Sequence, residues 1–280
     1  MEIIYACIDG GVTSPAVIEG SIWAAEMLAA PLRFLHVLER HPERASSIDA
    51  TGQLGLDAQD ILLQELSDLD QRRSQVAQDA GRRLLTAARA RAQAAGLVAV
   101  DTLMRHGELA ETALELELES RLFVLGHWPP SDTRPHLDHH LEQLVRSVNT
   151  PVLVVPGEVF LAPHRAVIAF DGSATAQKLV ARVAASPLLR GLPVVLAMAS
   201  PAASLEAVEQ AEHTLRSSGF SVTSEILDGE PDVALTSRAD QPGTVLVIGA
   251  YGHSRIRRLI VGSTTTALLR ASKVPLLILR

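Results

Sequence analysis

The chain has 280 residues, about twice the size of an ordinary domain, which favours two domains that each bury a core. Aromatic residues make up 3% and apolar residues 47% of it, as is typical of helices packed on a parallel sheet. The net charge of −7, with lysine only at Lys178 and Lys273, excludes a broad basic face for nucleic acid or an anionic membrane.

The first predicted strand begins at Ile3 and contains the single cysteine of the chain, Cys7. One cysteine cannot form an intrachain disulfide, and its apolar neighbours favour a small buried side chain. The N-terminal stretch lacks the basic-then-apolar order of a signal peptide, and no apolar run approaches the length of a bilayer span. We therefore expect a soluble, cytoplasmic protein.

The second apolar run, LRFLHVL, is followed by the segment Glu39–Asp60 and then by helical periodicity over Asp70–Gly96. Continuous apolar runs are typical of strands that helices cover on both faces. The segment Glu39–Asp60 has no counterpart later in the chain. We predict that it is a loop or a lid.

The chain carries one set of sequence landmarks twice, in the same order. IIYACIDGG (Ile3–Gly11) matches AVIAFDGSA (Ala166–Ala174), so that Asp9 corresponds to Asp171. Further on, LFVLG matches VLVIG, and LVRSVNTPVLVVP matches LLRASKVPLLILR. A repeat of this length indicates one structural unit used twice.

Alternating apolar runs and helical stretches predict an α/β fold in each half. We expect each half to form a doubly wound parallel sheet with five strands in the order 3-2-1-4-5 and right-handed connections. The predicted domains are residues 1–157 and 164–280. The terminal strands, Pro151–Val155 and Val274–Leu279, are apolar edges. Because unpaired edges are a liability, we expect them to join the two halves as an internal pseudo-dimer.

Three glycines near the C-terminus stand where a ligand would reach the sheet. Gly249 follows the apolar run TVLVI, and doubly wound sheets bind ligands at the carboxyl ends of their strands. Gly252 extends a surface that lacks side chains, and Gly262 precedes Ser263 and Thr264 at the start of a helical segment. Backbone N–H groups, the helix dipole and two hydroxyls at that point predict a phosphate site.

The spacing G-x2-G-x9-G-S, after a strand and before the last helix and strand of a repeated α/β unit, resembles the ATP-binding signature of the universal stress protein family. The whole chain resembles the tandem type, in which two such domains form one polypeptide. The resemblance implies that ATP is the ligand, with Mg²⁺ left open. It also implies these roles: Asp171 near the adenosine, Ala197 beside the base, Gly249 and Gly252 flanking the ribose and phosphates, and Gly262, Ser263 and Thr264 holding the phosphates. From the residues alone, Asp171 is equally well explained as a helix N-cap in a strand-to-helix turn.

The N-terminal half departs from this pattern. Alignment from the terminal strands places Asp138, His139 and His140 where the other half has Gly262-Ser263-Thr264. Pro129 replaces Gly252, and of the glycines only Gly126 remains. Because the space for phosphate is lost and Asp138 repels it, we predict a single nucleotide per chain, held by the C-terminal half.

Two charged or ligating segments allow more than one interpretation. In HWPPSDTRPHLDHH, the histidines His136, His139 and His140 are candidate ligands for a transition metal. Its prolines favour an exposed loop without a metal, which is the interpretation we adopt. Three arginines between the last glycines either reach the phosphates or form a solvated loop face: Arg255, Arg257 and Arg258.

The leading functional hypothesis is an ATP-binding universal stress protein with a regulatory or stress-response role. The alternatives are a slow ATPase or nucleotide-processing enzyme, and an interaction scaffold without nucleotide. No lysine follows the glycines as in a P-loop, which argues against the enzyme, and the intact glycines argue against the scaffold. We expect an adenine nucleotide as partner, neither nucleic acid nor membrane, and leave homodimer formation open.

Overall fold

The structure is a computed structural model that describes residues 2–38, 56–127, 139–199, 203–249 and 263–280. Of Ser263 and Thr264 it describes only the backbone. Several residues that the sequence singles out lie outside the described ranges: Pro129, His136, Asp138, Gly252, Arg255, Arg257, Arg258 and Gly262.

Strands and helices alternate through the described part of the N-terminal half. They are β1 (Ile3–Cys7), α1 (Ser14–Leu28), β2 (Leu32–Leu38), α2 (Leu56–Ala94), β3 (Val100–His106), α3 (Leu109–Leu116), β4 (Ser120–His127), α4 (His139–Ser147) and β5 (Val152–Pro156). A short 3-10 turn, Glu117–Glu119, joins α3 to β4. Proline at the start of α1 favours helix initiation, since its ring fixes φ where no N–H partner is needed.

The C-terminal half repeats this alternation. Its elements are β6 (Arg165–Ala169), α5 (Ala174–Ala185), β7 (Val194–Met198), α6 (Leu205–Ser217), β8 (Val222–Ile226), α7 (Pro231–Ala239), β9 (Thr244–Gly249), α8 (Ser263–Ala271) and β10 (Leu276–Leu279). A second 3-10 turn, Pro187–Leu189, follows α5. Serine caps begin two of the helices: Ser173 Oγ accepts the Ala176 N–H at 3.1 Å and Ser204 Oγ accepts the Ala207 N–H at 3.2 Å.

All of these strands form a single sheet, in the order β3-β2-β1-β4-β5-β10-β9-β6-β7-β8. Within each half the strands are parallel, and numbered from its own first strand each half has the order 3-2-1-4-5. The halves meet where β5 and β10 pair antiparallel, with Val154 opposite Leu276 and Val152 opposite Ile278. The predicted α/β fold and its internal pseudo-dimer are therefore confirmed.

Two apolar layers hold the helices on the sheet. One contains α1, α2, α5 and α6, and the other contains α3, α4, α7 and α8. Alternate residues of the joining strand serve opposite layers, because Leu277 belongs to the first and Leu276 and Ile278 to the second. No helix in the described ranges combines the length and apolar character that a membrane crossing requires.

The prediction of a loop over Glu39–Asp60 is wrong for residues 56–60, which are helical. Helix α2 has 39 residues and begins at Leu56, well before Asp70. The stretch LDAQDILLQEL consists largely of good helix formers with apolar residues on one face, so the helix extends into the segment. Residues 39–55 lie outside the described ranges.

An ion pair between β8 and α7 gives the first testable prediction. Arg238 Nε lies 2.5 Å from Glu225 Oε2 and Nη2 lies 2.9 Å from Oε1, and these hydrogen bonds lower the pKa of Glu225. A carboxyl with a lowered pKa stabilises the fold above its unfolded value of about 4.3, and this stabilisation is lost as the pH falls through the folded value. Glu225→Gln should therefore lower the free energy of unfolding at pH 7 by about 0.5–1 kcal/mol, since the pair is partly exposed.

Urea unfolding at pH 7 and at pH 3 tests this expectation. The difference between wild type and Glu225→Gln should shrink at pH 3, because the carboxyl of the unfolded chain then binds a proton that the ion pair disfavours in the folded chain. Glu209→Gln, an exposed change on α6, is the control and should leave stability unchanged at both values. An equal difference at the two pH values would assign the effect to packing instead of the ion pair.

Candidate functional site

Three of the predicted nucleotide-binding residues lie at one edge of the sheet. Asp171 follows β6, Ala197 lies near the end of β7, and Gly249 ends β9. Strand β6 has β7 on one side and β9 on the other, all parallel, with Ala169 opposite Ala197. The chain runs from β6 outward to β7 and β8 and then crosses to β9 on the other side of β6. Doubly wound sheets form a ligand crevice at such a switch point.

Asp171 shapes the turn between β6 and α5. Its Oδ1 accepts the Ser173 N–H at 2.9 Å, and Gly172 has a φ of +77°, in the left-handed region that glycine favours. The N-cap of α5 is Ser173, so the alternative that Asp171 itself is the cap is wrong. Asp171 is exposed, and its Oδ2 accepts no hydrogen bond from the described residues. One carboxylate oxygen is therefore available to a ligand.

Gly249 and Gly126 are equivalent positions in the two halves, but their surroundings differ. A Cβ built on Gly249 would lie 3.4 Å from Leu179 Cδ1 and 3.9 Å from Thr175 Cγ2, which are ordinary contacts. A Cβ on Gly126 would overlap Thr13 Oγ1 and lie 2.7 Å from Thr13 Cβ. Among the described residues, packing therefore requires glycine at position 126 and leaves room at position 249.

The contact at Gly126 comes from the residue that is equivalent to Thr175. Thr13 and Thr175 each stand four residues after the aspartate that ends the first apolar run of their half. Threonine thus occupies the same sequence position in both halves, yet Thr13, the N-cap of α1, lies closer to Gly126 than Thr175 does to Gly249. Among the described residues, a side chain therefore has more room at this point in the C-terminal half than in the N-terminal half.

Ala197 is buried in the sheet. Its exposed fraction is 0%, its side chain belongs to the apolar layer with α7 and α8, and its carbonyl accepts the Phe170 N–H at 2.9 Å. Ala199, two residues further along the chain, is half-buried. The role of Ala197 beside the base remains a prediction.

Helix α8 begins at Ser263, at the position where the sequence predicts a phosphate site. The first N–H groups of an α-helix have no partner within the helix, and the helix dipole places partial positive charge at the same end. Thr264 is the second residue of α8. Gly262 lies outside the described residues, so the geometry of the glycine segment before α8 stays a prediction.

The N-terminal half has a crevice of its own at the equivalent edge, with a volume of 310 Å³. Asp9 Oδ1 within it accepts the Gly11 N–H at 2.7 Å and the Ser14 hydroxyl at 2.9 Å. Burial raises the pKa of the Cys7 thiol to about 12. The described lining contains a carboxylate and neither lysine nor arginine, which disfavours a triphosphate: Cys7, Ile8, Asp9, Gly11, Val12, Thr13, Leu35, Val37, Leu109, Leu125, Gly126, His140 and Leu141.

Sequence reasoning missed Thr13 and Ser173. Ser173 could have been found, because a serine directly before a helix is a preferred N-cap. Thr13 could not, because its equivalent Thr175 is the same residue type with a different clearance. Among the described residues, no group of three or more His, Cys, Asp or Glu is placed to hold a metal ion, and His136 lies outside the described ranges.

Comparison with known proteins gives consistent matches along the chain. The model of the universal stress protein family matches residues 1–156 and again residues 163–280. A universal stress protein from Synechocystis sp. is 29% identical over 288 residues, covering 100% of both chains. A solved universal stress protein from Archaeoglobus fulgidus has a TM-score of 0.69 at 17% identity and covers 99% of this chain and 98% of its own. A putative universal stress protein from Pseudomonas aeruginosa has a TM-score of 0.64 at 17% identity, covering 100% and 93%. At these identities the two structures show a common fold alone.

Proposed function

Since the chain belongs to the universal stress protein family, as a tandem of two such domains, we propose that it is a regulatory protein that binds one ATP, in its C-terminal half. The observation that carries this proposal is the clearance around Gly249, compared with the contact that closes the equivalent position at Gly126. A glycine that the described residues do not require for packing is explained by a ligand that approaches the backbone there.

In the C-terminal half, each element at the carboxyl ends of the strands contributes to ATP binding. The available oxygen of Asp171 accepts a hydrogen bond from the adenosine, whose hydroxyls are donors. The first N–H groups of α8, at Ser263 and Thr264, donate to the phosphates together with the hydroxyls of these residues. Gly249, Gly252 and Gly262 leave the space through which the nucleotide lies against the backbone. These roles follow the resemblance of the motif to the family's ATP-binding signature.

The N-terminal half has another task, because its crevice presents the Asp9 carboxylate and no basic side chain among its described lining. Its pairing with the C-terminal half through β5 and β10 couples the two domains mechanically. Binding of ATP at one domain can thereby alter the surface that the whole chain offers to a partner. In this proposal the chain binds and releases ATP without hydrolysing it, and the bound and free forms differ in the surface offered to a partner. This is a regulatory role.

Mass spectrometry of nucleotide released from freshly purified, denatured protein tests the proposed ligand. We expect ATP, at no more than about one per chain. Incubation of the folded protein with ATP tests the enzyme alternative, since steady ADP formation would favour a slow ATPase. Protein that neither retains nor takes up any adenine nucleotide would support a nucleotide-free scaffold.

A substitution at Gly249 separates ligand binding from folding. Gly249→Ala adds a Cβ that makes only ordinary contacts with Leu179 and Thr175, so we expect the free energy of unfolding to change by about 1 kcal/mol or less. The same methyl group occupies space beside the nucleotide, and we expect ATP affinity to fall about tenfold or more. Ser263→Ala removes one hydroxyl hydrogen bond and should weaken ATP binding by only about 1 kcal/mol. Calorimetric titration showing wild-type affinity for Gly249→Ala would place the nucleotide elsewhere.

A further inference from the structure

A cavity of 640 Å³ lies between the two halves, away from the nucleotide crevice. Leu277 and Leu279 of β10 form its floor. The N-terminal half contributes Leu28 from the end of α1 and Leu122 from β4, and the C-terminal half contributes Leu189 from the turn after α5. Its volume is within the range of about 300–1,000 Å³ that small-molecule sites have. The cavity exists only because the two halves are joined.

Three of the polar side chains around this cavity already have partners in the fold. Glu117 Oε1 accepts the N–H groups of Asn149 and Thr150, the latter at 3.1 Å. Ser120 Oγ donates to a backbone carbonyl at 2.6 Å, and Ser186 Oγ accepts a backbone N–H at 3.3 Å. These groups are therefore satisfied without a ligand.

Two cations beside the cavity differ from these groups. Within the described ranges, the guanidinium groups of Arg121 and Arg182 make neither an ion pair nor a hydrogen bond. Arg121 is half-buried and Arg182 is exposed. The remaining ionised residue of the lining, Glu2, is exposed to solvent. A partly desolvated guanidinium without an acceptor favours an anionic group, which its planar fork can bind through two hydrogen bonds.

Leu118 indicates an apolar occupant. This side chain lines the cavity but is 99% exposed, on the 3-10 turn between α3 and β4. Contact with an aliphatic chain in the cavity would remove it from water, which is favourable in proportion to the apolar area covered. The apolar floor, the exposed leucine and the two arginines together match a molecule with a hydrocarbon body and a negative head.

We propose that the cavity between the halves binds an amphiphile with one aliphatic chain and an anionic head group, the chain on Leu277 and Leu279 and the head at Arg121 and Arg182. The occupant would contact both domains at once and strengthen their attachment. This site is independent of the nucleotide proposal, because none of its residues belongs to the crevice around Gly249.

Calorimetric titration with dodecanoate and with dodecyl phosphate, below the concentrations at which they aggregate, tests the site. Ala185, the last residue of α5, is exposed and lines the cavity, so Ala185→Trp fills it without disturbing the core. We expect this variant to bind either amphiphile at least tenfold more weakly than wild type. Ala181→Trp, one turn earlier on the same helix and also exposed, is the matched control and should bind like wild type.

The head and the chain are tested separately. Arg182→Gln and Arg121→Gln should each weaken dodecanoate binding by about tenfold and leave binding of uncharged dodecanol unchanged. Leu118→Ser should weaken both ligands. Wild-type affinity in Ala185→Trp, or no binding of any of these probes to folded wild type, would overturn the site. If both arginine variants bind dodecanoate as tightly as wild type, the proposed site for an anionic head group is overturned. ATP binding should be the same in all of these variants, so failure here is distinguishable from failure of the nucleotide proposal.

Discussion

Gly126→Ala should lower the free energy of unfolding by about 3 kcal/mol, among the larger costs of overpacking. The added methyl group would lie 2.7 Å from Thr13 Cβ and 3.1 Å from Val17 Cγ2, and would overlap Thr13 Oγ1. Rotation of the threonine moves only its Oγ1 and methyl group, so relief of the Cβ contact requires α1 to move away from β4. Such a shift disturbs the apolar layer that α1 forms with the sheet. Urea unfolding of the variant measures the effect.

A second change identifies the cause of this destabilisation. Thr13→Gly removes both Thr13 atoms from the contact, and glycine is an acceptable N-cap for α1. The double variant should therefore recover much of the stability that Gly126→Ala loses. Gly249→Ala is the matched control in the other half, and its free energy of unfolding should differ from that of wild type by about 1 kcal/mol or less. Equal destabilisation by Gly126→Ala and Gly249→Ala would show that the two crevices do not differ in width.

Gly262→Asp should abolish detectable ATP binding. It copies into the C-terminal half the residue, Asp138, that the other half has at the equivalent position. The carboxylate would stand directly before α8, where we place the phosphates, and like charges at contact distance repel strongly in a crevice of low dielectric constant. We expect a loss of affinity of about a hundredfold or more. Calorimetry or nucleotide release measures it.

The fold should survive this substitution, because aspartate before the first residue of a helix is a favourable N-cap. Gly262→Asn is the matched control, since it has nearly the same size and hydrogen-bonding capacity but no charge. The asparagine variant should bind ATP more weakly than wild type and more strongly than the aspartate variant. If both variants bind equally, the loss is steric; if both bind like wild type, the phosphates lie elsewhere.

The sheet and its central seam could be predicted from sequence because the chain repeats its landmarks. Matching the terminal strands of the two halves identified both apolar edges, and β5 and β10 indeed pair. The start of α2 at Leu56 could not be predicted by comparing the two halves. The segment Glu39–Asp60 has no counterpart in the other half, so the repeat gave no help in locating the start of the helix within it.

The candidate site was predictable only at the level of its backbone. The end of β9 at Gly249 and the start of α8 at Ser263 follow from apolar runs and helix-start residues. The clearance of a side chain at a given glycine depends on how closely a helix packs against its strand, and no local pattern encodes this. Thr13 and Thr175 show the limit, because the same residue type at equivalent sequence positions crowds Gly126 and makes only an ordinary contact at Gly249. The cavity between the halves likewise depends on residues from distant parts of the chain.

The stoichiometry of ATP binding tests the central claim most directly. Purified chain, freed of bound nucleotide, is titrated with ATP under conditions where protein concentration exceeds the dissociation constant, so that the end point counts sites. We predict saturation at one ATP per chain in the wild type, with no remaining site in Gly262→Asp. Saturation at two equivalent sites, or a single site that persists in Gly262→Asp, would contradict binding by the C-terminal half alone.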